Sequence, residues 1–381
     1  MGQSSENNYV IETKLNSNLE RLAAWAKRWL ITYNPDKTEA VTFSLAKDTN
    51  PISLCFNDVS VKGVNSHKHL GITFSADGKW SAHIEKIIKV TSKMISSLRK
   101  LKYLLSRSVL NKIYILFIRP HFEYACEVWD GCAQYQANRI EQLQLEAARI
   151  VTGLPKYTPV KYLYFETGWE TLSERRRKRK LCLFYKIQNE MVPTYLSELV
   201  PSNVASKTRY NLRNSENITV PITRLKIYYE SFIPSTIRMW NDIPVHVRNS
   251  SSVSTFKYAI KTEQNVAPQY FSYGARKANI ILTKLRYMCS QLNYDLFRIG
   301  IKSDPSCECG NSCENSHHYL SDCKTFISQR RIMMSCLPNS VRNSVQVTTN
   351  LLLNGSADLT LIENQRIFEA VQTYICQTER F

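Results

Sequence analysis

Cys307, Cys309, His318 and Cys323 carry the clearest chemistry in this chain. Cys307-Glu308-Cys309-Gly310 is followed by His318 after eight intervening residues and by Cys323 after four more. Three thiolates and one imidazole fill a tetrahedral shell, which suits structural zinc and leaves no open position for a substrate. Gly310 lets the backbone turn tightly behind the first pair. Cys313 and His317 are rival ligands on spacing alone, and free thiols in a reducing compartment would leave the same composition. Bound zinc would contribute on the order of 10 kcal/mol to ordering so loop-rich a segment.

Two groups of cations point to a polyanion. Lys86, Lys89, Lys93 and Lys100 recur at intervals of three, four and seven, so a helix displays them as one stripe. A solvated helix face normally mixes signs, whereas here only Glu85 sits beside the lysines. The stripe lies opposite an apolar seam of Ile84, Ile87, Thr91, Met94, Leu98, Leu101 and Leu105. Four phosphate contacts imply a log–log salt slope of about −3 to −4. The second group, Arg175-Arg176-Arg177-Lys178-Arg179-Lys180, repels itself as a helix unless anions or a partner neutralise it. Nucleic-acid contact at Arg175, Arg176, Arg177 and Lys178, nuclear import, and a plain soluble face all accommodate that run.

The bulk composition agrees with a charged partner. The 381 residues, 43% of them hydrophobic, can build roughly two or three domains with real cores. Fifty Lys and Arg against 32 Asp and Glu give a net charge of +18, which favours nucleic acid or an anionic membrane surface. From Cys307 onward the count is 6 against 7, so the earlier residues hold 44 against 25 and own the basic surface. Eleven cysteines and a polar Met1–Asn8 stretch imply a reducing compartment, nucleus or cytoplasm. No apolar run reaches 18 residues, and membrane attachment has no support. A Gly-rich phosphate loop with a following Lys-Ser/Thr and a Gly-x-Ser-x-Gly elbow are both missing. Glu127 and Asp130 flank Trp129 without a third acid, and His83, His121 and His246 stand isolated as structural or exposed residues.

The elements that must position these groups form an α+β, predominantly α-helical chain. An amphipathic helix is expected over Leu15–Ile31, broken by Asn34-Pro35-Asp36, with short strands at Ala40–Ser44, Ser53–Phe56, Val59–Val61 and Gly71–Phe74. Helices follow at Trp80–Leu105, Ser108–Phe117 (stopping at Arg119-Pro120), Ala137–Thr152 and Leu172–Met191. Further helices are expected at Val253–Lys261, Ala275–Ser290 and Ile362–Thr378. The proline-punctuated stretch between, with Lys207, Arg209, Arg213, Arg224 and Lys226, is read as a basic linker with an ordered docking segment, since Tyr228, Tyr229, Phe232 and Trp240 seek burial. The expected divisions are therefore 1–79, 80–200, 201–270 and 271–381.

Several segments, in order, resemble the C-terminal half of reverse transcriptases from non-LTR retrotransposons of the jockey-like kind. Trp25-Ala26-x-x-Trp29 and Asn34-x-x-Lys37-Thr38-Glu39 are similar to the helix and loop after that family's catalytic hairpin. His67-Lys68-His69-Leu70-Gly71-Ile72 looks like its primer-gripping hairpin. Trp80-x-x-His83-Ile84, Leu110-x-x-Ile113-Tyr114 and Ile118-Arg119-Pro120-x-x-Glu123-Tyr124 resemble its helical thumb. The likeness continues through Leu172-x-x-Arg175-Arg176, Phe232-x-Pro234 with Trp240-Asn241, and Leu285-Arg286-x-x-Cys289-Ser290. It reaches Cys307-x-Cys309-Gly310 with Glu314, His318 and Cys323, and ends at Arg380-Phe381. The resemblance implies a small palm remnant, a thumb, and a C-terminal helical region with a CCHC zinc knuckle. It implies Lys37 as an auxiliary to pyrophosphate departure, and His69, Leu70 and Gly71 as a primer grip. His318 is favoured over His317.

Polymerases of this kind hold two metal ions on carboxylates, usually with an adjacent Asp-Asp pair. No two aspartates are neighbours here, and the first is Asp36. The chain is thus expected to begin just after the catalytic hairpin, to bind RNA, DNA or their hybrid, and to be inactive alone. Mg²⁺ would belong only to the complete parent polymerase, whose reaction is target-primed reverse transcription. The alternatives are a stand-alone nucleic-acid-binding protein derived from such an element, and a helical interaction protein whose charge serves solubility.

Overall fold

Apolar residues at three- and four-residue spacing produce most of the secondary structure. The computed structural model describes residues 4, 7–34, 37–44, 52–207, 215–261, 267–268, 270, 273–344 and 347–381. It is predominantly helical with small sheets, an α+β architecture. Pro35 and Asp36, expected to break the first helix, and Arg209 and Arg213 of the expected linker lie outside the described residues.

Two compact units divide the chain, and neither is continuous. One holds residues 1–88, 125–137 and 180–249; the other holds 89–124, 138–179 and 250–381. The divisions read from the sequence assumed consecutive blocks. The chain instead builds each unit from three separated stretches, a pattern that local composition does not encode.

The first unit opens with the helix Asn8–Arg28, whose Asn7 side chain accepts the Tyr9 amide. It starts earlier than expected and ends before the Asn34 turn, and it buries only Ala26. Among the described residues three two-stranded sheets follow: Glu39–Ala40 with Lys62–Gly63, Cys55–Phe56 with Val59–Ser60, and Ser66–His69 with Ile72–Ser75. In the last, a hairpin, the loop is Leu70-Gly71, with φ positive at both residues as a tight two-residue turn requires. Buried His83 joins this hairpin to the next helix, its Nδ1 accepting the Thr73 amide at 3.4 Å.

Residues 215–249, within the expected linker and docking segment, belong to this unit. Trp240 is buried against Phe184 and Tyr185, and Asn241 exchanges hydrogen bonds of 3.0 and 2.9 Å with the Ile218 backbone. Tyr228 and Tyr229 stay about half exposed, contrary to expectation. The Arg238 guanidinium stacks 3.6 Å above the Tyr229 ring, which gives that ring a partner without burial.

In the second unit, the helix expected to stop at Arg119-Pro120 continues. Arg107–Ile113 runs into a π-helical turn, Tyr114–Ile118, and then into Arg119–Glu123 with the proline in its first turn. Proline lacks an N–H that the first turn does not need, and the wider turn before it relieves the clash. Glu166, fully buried, accepts from Arg107 and Arg286 at 3.0 Å each and from the hydroxyls of Tyr270 and Tyr287 at 2.9 and 3.0 Å. The helix Leu361–Thr378, started by a Thr360–Glu363 capping box, lays Ile367, Val371 and Tyr374 into a core with Leu285, Leu292 and Tyr319.

Candidate metal centre and nucleic-acid interface

The metal centre is assembled by one loop and one π-helical turn. Gly310 donates its amide to the Cys307 carbonyl at 2.9 Å and has φ +87, so the chain reverses where only glycine is unstrained. His318–Asp322 forms the π turn, closed by a 2.8 Å bond from the Cys323 amide to the His318 carbonyl. That wider turn brings residues five apart toward one face. Arg330 pins the same turn by donating to the carbonyls of Leu320 and Cys323 at 3.1 and 2.5 Å.

The Cys307, Cys309, His318 and Cys323 ligand atoms all lie within 4.8 Å of one another. The Cys307 and Cys323 sulfurs are 3.8 Å apart, and Cys309 Sγ is 3.3 Å from His318 Nε2. Two sulfurs each about 2.3 Å from a tetrahedral zinc stand roughly 3.8 Å apart, whereas a disulfide needs about 2.05 Å. The donor set therefore fits a zinc ion. Burial pushes the Cys307 thiol up to about 12, while the amides of Asn311 and Lys324 help hold Cys309 below the usual thiol value. Burial also lowers His318, keeping the imidazole neutral and able to coordinate. A divalent cation would reverse the Cys307 shift, because coordination favours the thiolate. Nδ1 of His318 is buried without a hydrogen-bond partner, so packing rather than an acceptor orients the ring.

The spacing rivals lie elsewhere. His317 is exposed, bonded to Thr349 at 2.6 Å and to Asp322 at 3.3 Å. Cys313 accepts only a long 3.5 Å contact from Asn315. Glu314 is nearly buried and ties this loop to the last residues: Arg380 donates to it at 2.6 and 2.8 Å, and the Asn293 amide at 2.8 Å.

The lysine stripe is displayed as one face of the helix Ser81–Lys100. Lys86, Lys89, Lys93 and Lys100 are all exposed, and at about 100° per residue they share an arc of about 60°. Ile84, Ile87, Thr91 and Leu98 are buried opposite, with Ile95 taking the place expected for half-buried Met94. Lys68, on the hairpin, stands close enough to Lys86 to lower its pKa, after desolvation. No sequence signal indicated that neighbour, because hairpin and helix meet only in the fold.

The arginine-rich run lies on the helix Leu172–Gln188. The anions that its helix needs are supplied from within: Arg175 bonds Glu123, Arg177 bonds Glu174 at 2.9 Å, and Lys178 bonds Glu170 at 2.5 Å. Arg176 and Lys180 are buried, and Lys180 meets Asp130 at 3.0 Å. A polyanion would have to compete with these carboxylates to reach Arg175, Arg177 or Lys178, and Arg176 is buried.

The hairpin motif sits at an exposed tip, with His69 exposed and Leu70 at 76% exposure. Lys37 is exposed on the preceding loop, and its neighbour Glu39 accepts from or shares a proton with His67 Nδ1 at 2.7 Å. The two short motifs thereby meet. Among the described residues, the Cys3His cluster is the only group of three or more His, Cys, Asp or Glu arranged to hold a metal. No carboxylate set for Mg²⁺ is arranged among the described residues. No helix among the described residues is long and apolar enough to cross a membrane.

Comparison with known proteins finds relatives among the products of transposable elements. It is homologous to the RNA-directed DNA polymerases of non-LTR retrotransposons, jockey-like elements included. It is 28% identical over 172 residues to the probable RNA-directed DNA polymerase from transposon BS of Drosophila melanogaster, covering 42% of this chain and 18% of the relative. For the probable enzyme from transposon X-element of the same fly, identity is 30% over 139 residues, covering 35% and 15%. For the enzyme from mobile element jockey it is 26% over 146 residues, covering 38% and 16%. The matched stretch thus spans less than a fifth of each relative. No family model and no solved structure matches the chain.

Proposed function

We propose that this chain is a nucleic-acid-binding C-terminal fragment of a retroelement RNA-directed DNA polymerase. The parent reaction would be target-primed reverse transcription, and the chain's part in it is to hold RNA, DNA or their hybrid. The observation that carries this reading is the stripe of four exposed lysines on one helix face, backed by a buried seam. Such a face tracks phosphates and reads no sequence. Palm-remnant, primer-grip and thumb roles for the hairpin and the helices after it follow from the motifs together with the homology. Cys307, Cys309, His318 and Cys323 would hold a structural zinc that supplies cross-linking of a loop-rich segment and no catalysis.

The test is duplex and RNA–DNA hybrid binding measured across a salt series. In the full chain the log–log slope should be steep. Replacing Lys86, Lys89, Lys93 and Lys100 by glutamine should flatten it by about 3 to 4. An unchanged slope would sink the reading.

A further inference from the structure

A second basic feature lies wholly within the unit of residues 89–124, 138–179 and 250–381, apart from the metal centre. Two adjoining depressions, of about 620 and 240 Å³, share Lys102 in their walls. Arg99, Arg149 and Lys156 line the larger, and Lys277 and Lys284 the smaller. The acid in the lining, Glu146, is held by Arg99 at 3.0 Å, so five cations face the trough without an ion pair among the described residues. The cations are set among apolar side chains, Ile150 and Leu154 in the larger depression and Ile280 and Ile281 in the smaller.

The trough is built rigidly. Arg276 donates to three carbonyls, Lys102 at 2.9 Å and Val151 and Ile150 at 2.6 Å each, fixing the loop after one helix to the end of another. Gly153, at φ +82, lets that end approach Ile280 so closely that a Cβ would stand 2.6 Å from its side chain. An aromatic side chain stands among the cations: Tyr103 lines the smaller depression, is 73% exposed and has Lys102 Nζ 5.1 Å from its ring centre.

A cationic groove with an exposed aromatic ring is the arrangement that holds single strands, phosphates on the charges and a base on the ring. A regular duplex keeps its bases stacked on each other and cannot use the ring. We propose that this trough binds a single-stranded segment of nucleic acid, separately from the duplex-tracking stripe. The proposal shares a ligand class with the reading above but rests on different residues.

The experiment uses the full chain, a labelled single-stranded oligonucleotide and a duplex of equal length. Replacing Lys102, Lys156, Lys277 and Lys284 by glutamine should flatten the single-strand salt slope by about 3 and leave the duplex slope intact. Tyr103→Ala should weaken single-strand binding by about five- to 150-fold with little effect on the duplex. The four lysines changed to arginine should restore binding, which separates lost charge from lost folding. Single-strand binding unchanged in the glutamine variant would overturn the proposal, as would an equal loss for both ligands. The stripe variant decides the earlier reading independently, because it is scored on the duplex.

Discussion

At the scale of single residues, His83 makes the fold acid-sensitive. Burial and then Lys86 lower its pKa, so in the folded chain the ring is neutral where an unfolded chain would be protonated. The unfolded state binds more protons between the lowered value and about 6.5, so stability is complete above about 6.5 and falls as pH drops through the lowered value. Urea midpoints at neutral and mildly acidic pH should diverge in the wild type, and His83→Asn should narrow that gap. Gly153→Ala should cost about 2–4 kcal/mol, combining a left-handed backbone with overpacking against Ile280, as measured by chemical denaturation. The four metal-site residues were legible because ligand chemistry requires side-chain type and spacing together. His317 and Cys313 could not be dismissed that way. Their exclusion depends on the π turn that rotates His318 and Cys323 to one side, and a one-residue change of helical pitch leaves no mark in composition.

At the scale of elements, periodicity located the helices well, since burial of one face is what creates the period. The Leu361–Thr378 and Gln134–Thr152 helices begin within a few residues of expectation. The arginine-rich helix shows where the same reasoning stops. Its need for anions was readable, but Glu123, Glu170 and Asp130 come from other elements, and only the fold brings them close. The Cys307–Cys323 segment is the element a metal would order most, because its four donors converge. Metal analysis of purified protein should give about one zinc per chain, lost in Cys307→Ser and in Cys323→Ser. A strong chelator should expose the Cys307–Cys323 backbone to hydrogen exchange before the Glu166 hub opens. A metal-free protein with that segment fully protected would contradict a zinc knuckle.

At the scale of the whole molecule, composition gives a net charge of +18 but not the surfaces that carry it. In the arginine-rich run, the most conspicuous cations in the sequence, Arg175, Arg177 and Lys178 are paired with carboxylates, whereas the scattered Lys102, Lys156, Lys277 and Lys284 line one trough. The discontinuous units were equally unreadable, because long-range pairing is written in no single window. Glu166 is their clearest product. Glu166→Ala leaves Arg107 and Arg286 buried without their counter-charge and should cost about 3–5 kcal/mol in denaturant melts.

That hub also sets a timetable for synthesis. Arg107 and its partner Thr283 are 176 residues apart in sequence, and Glu166 and Tyr287 are 121 apart. At about 5–20 residues per second, a ribosome delivers Thr283 roughly 10–35 s after Arg107. During that interval the buried ion cluster is only partly assembled, so the nascent chain must remain open or be sheltered by a chaperone. Translation arrested before the hub's last tyrosine should therefore leave chains that holdase chaperones capture and proteases cut, while released full-length chains resist both.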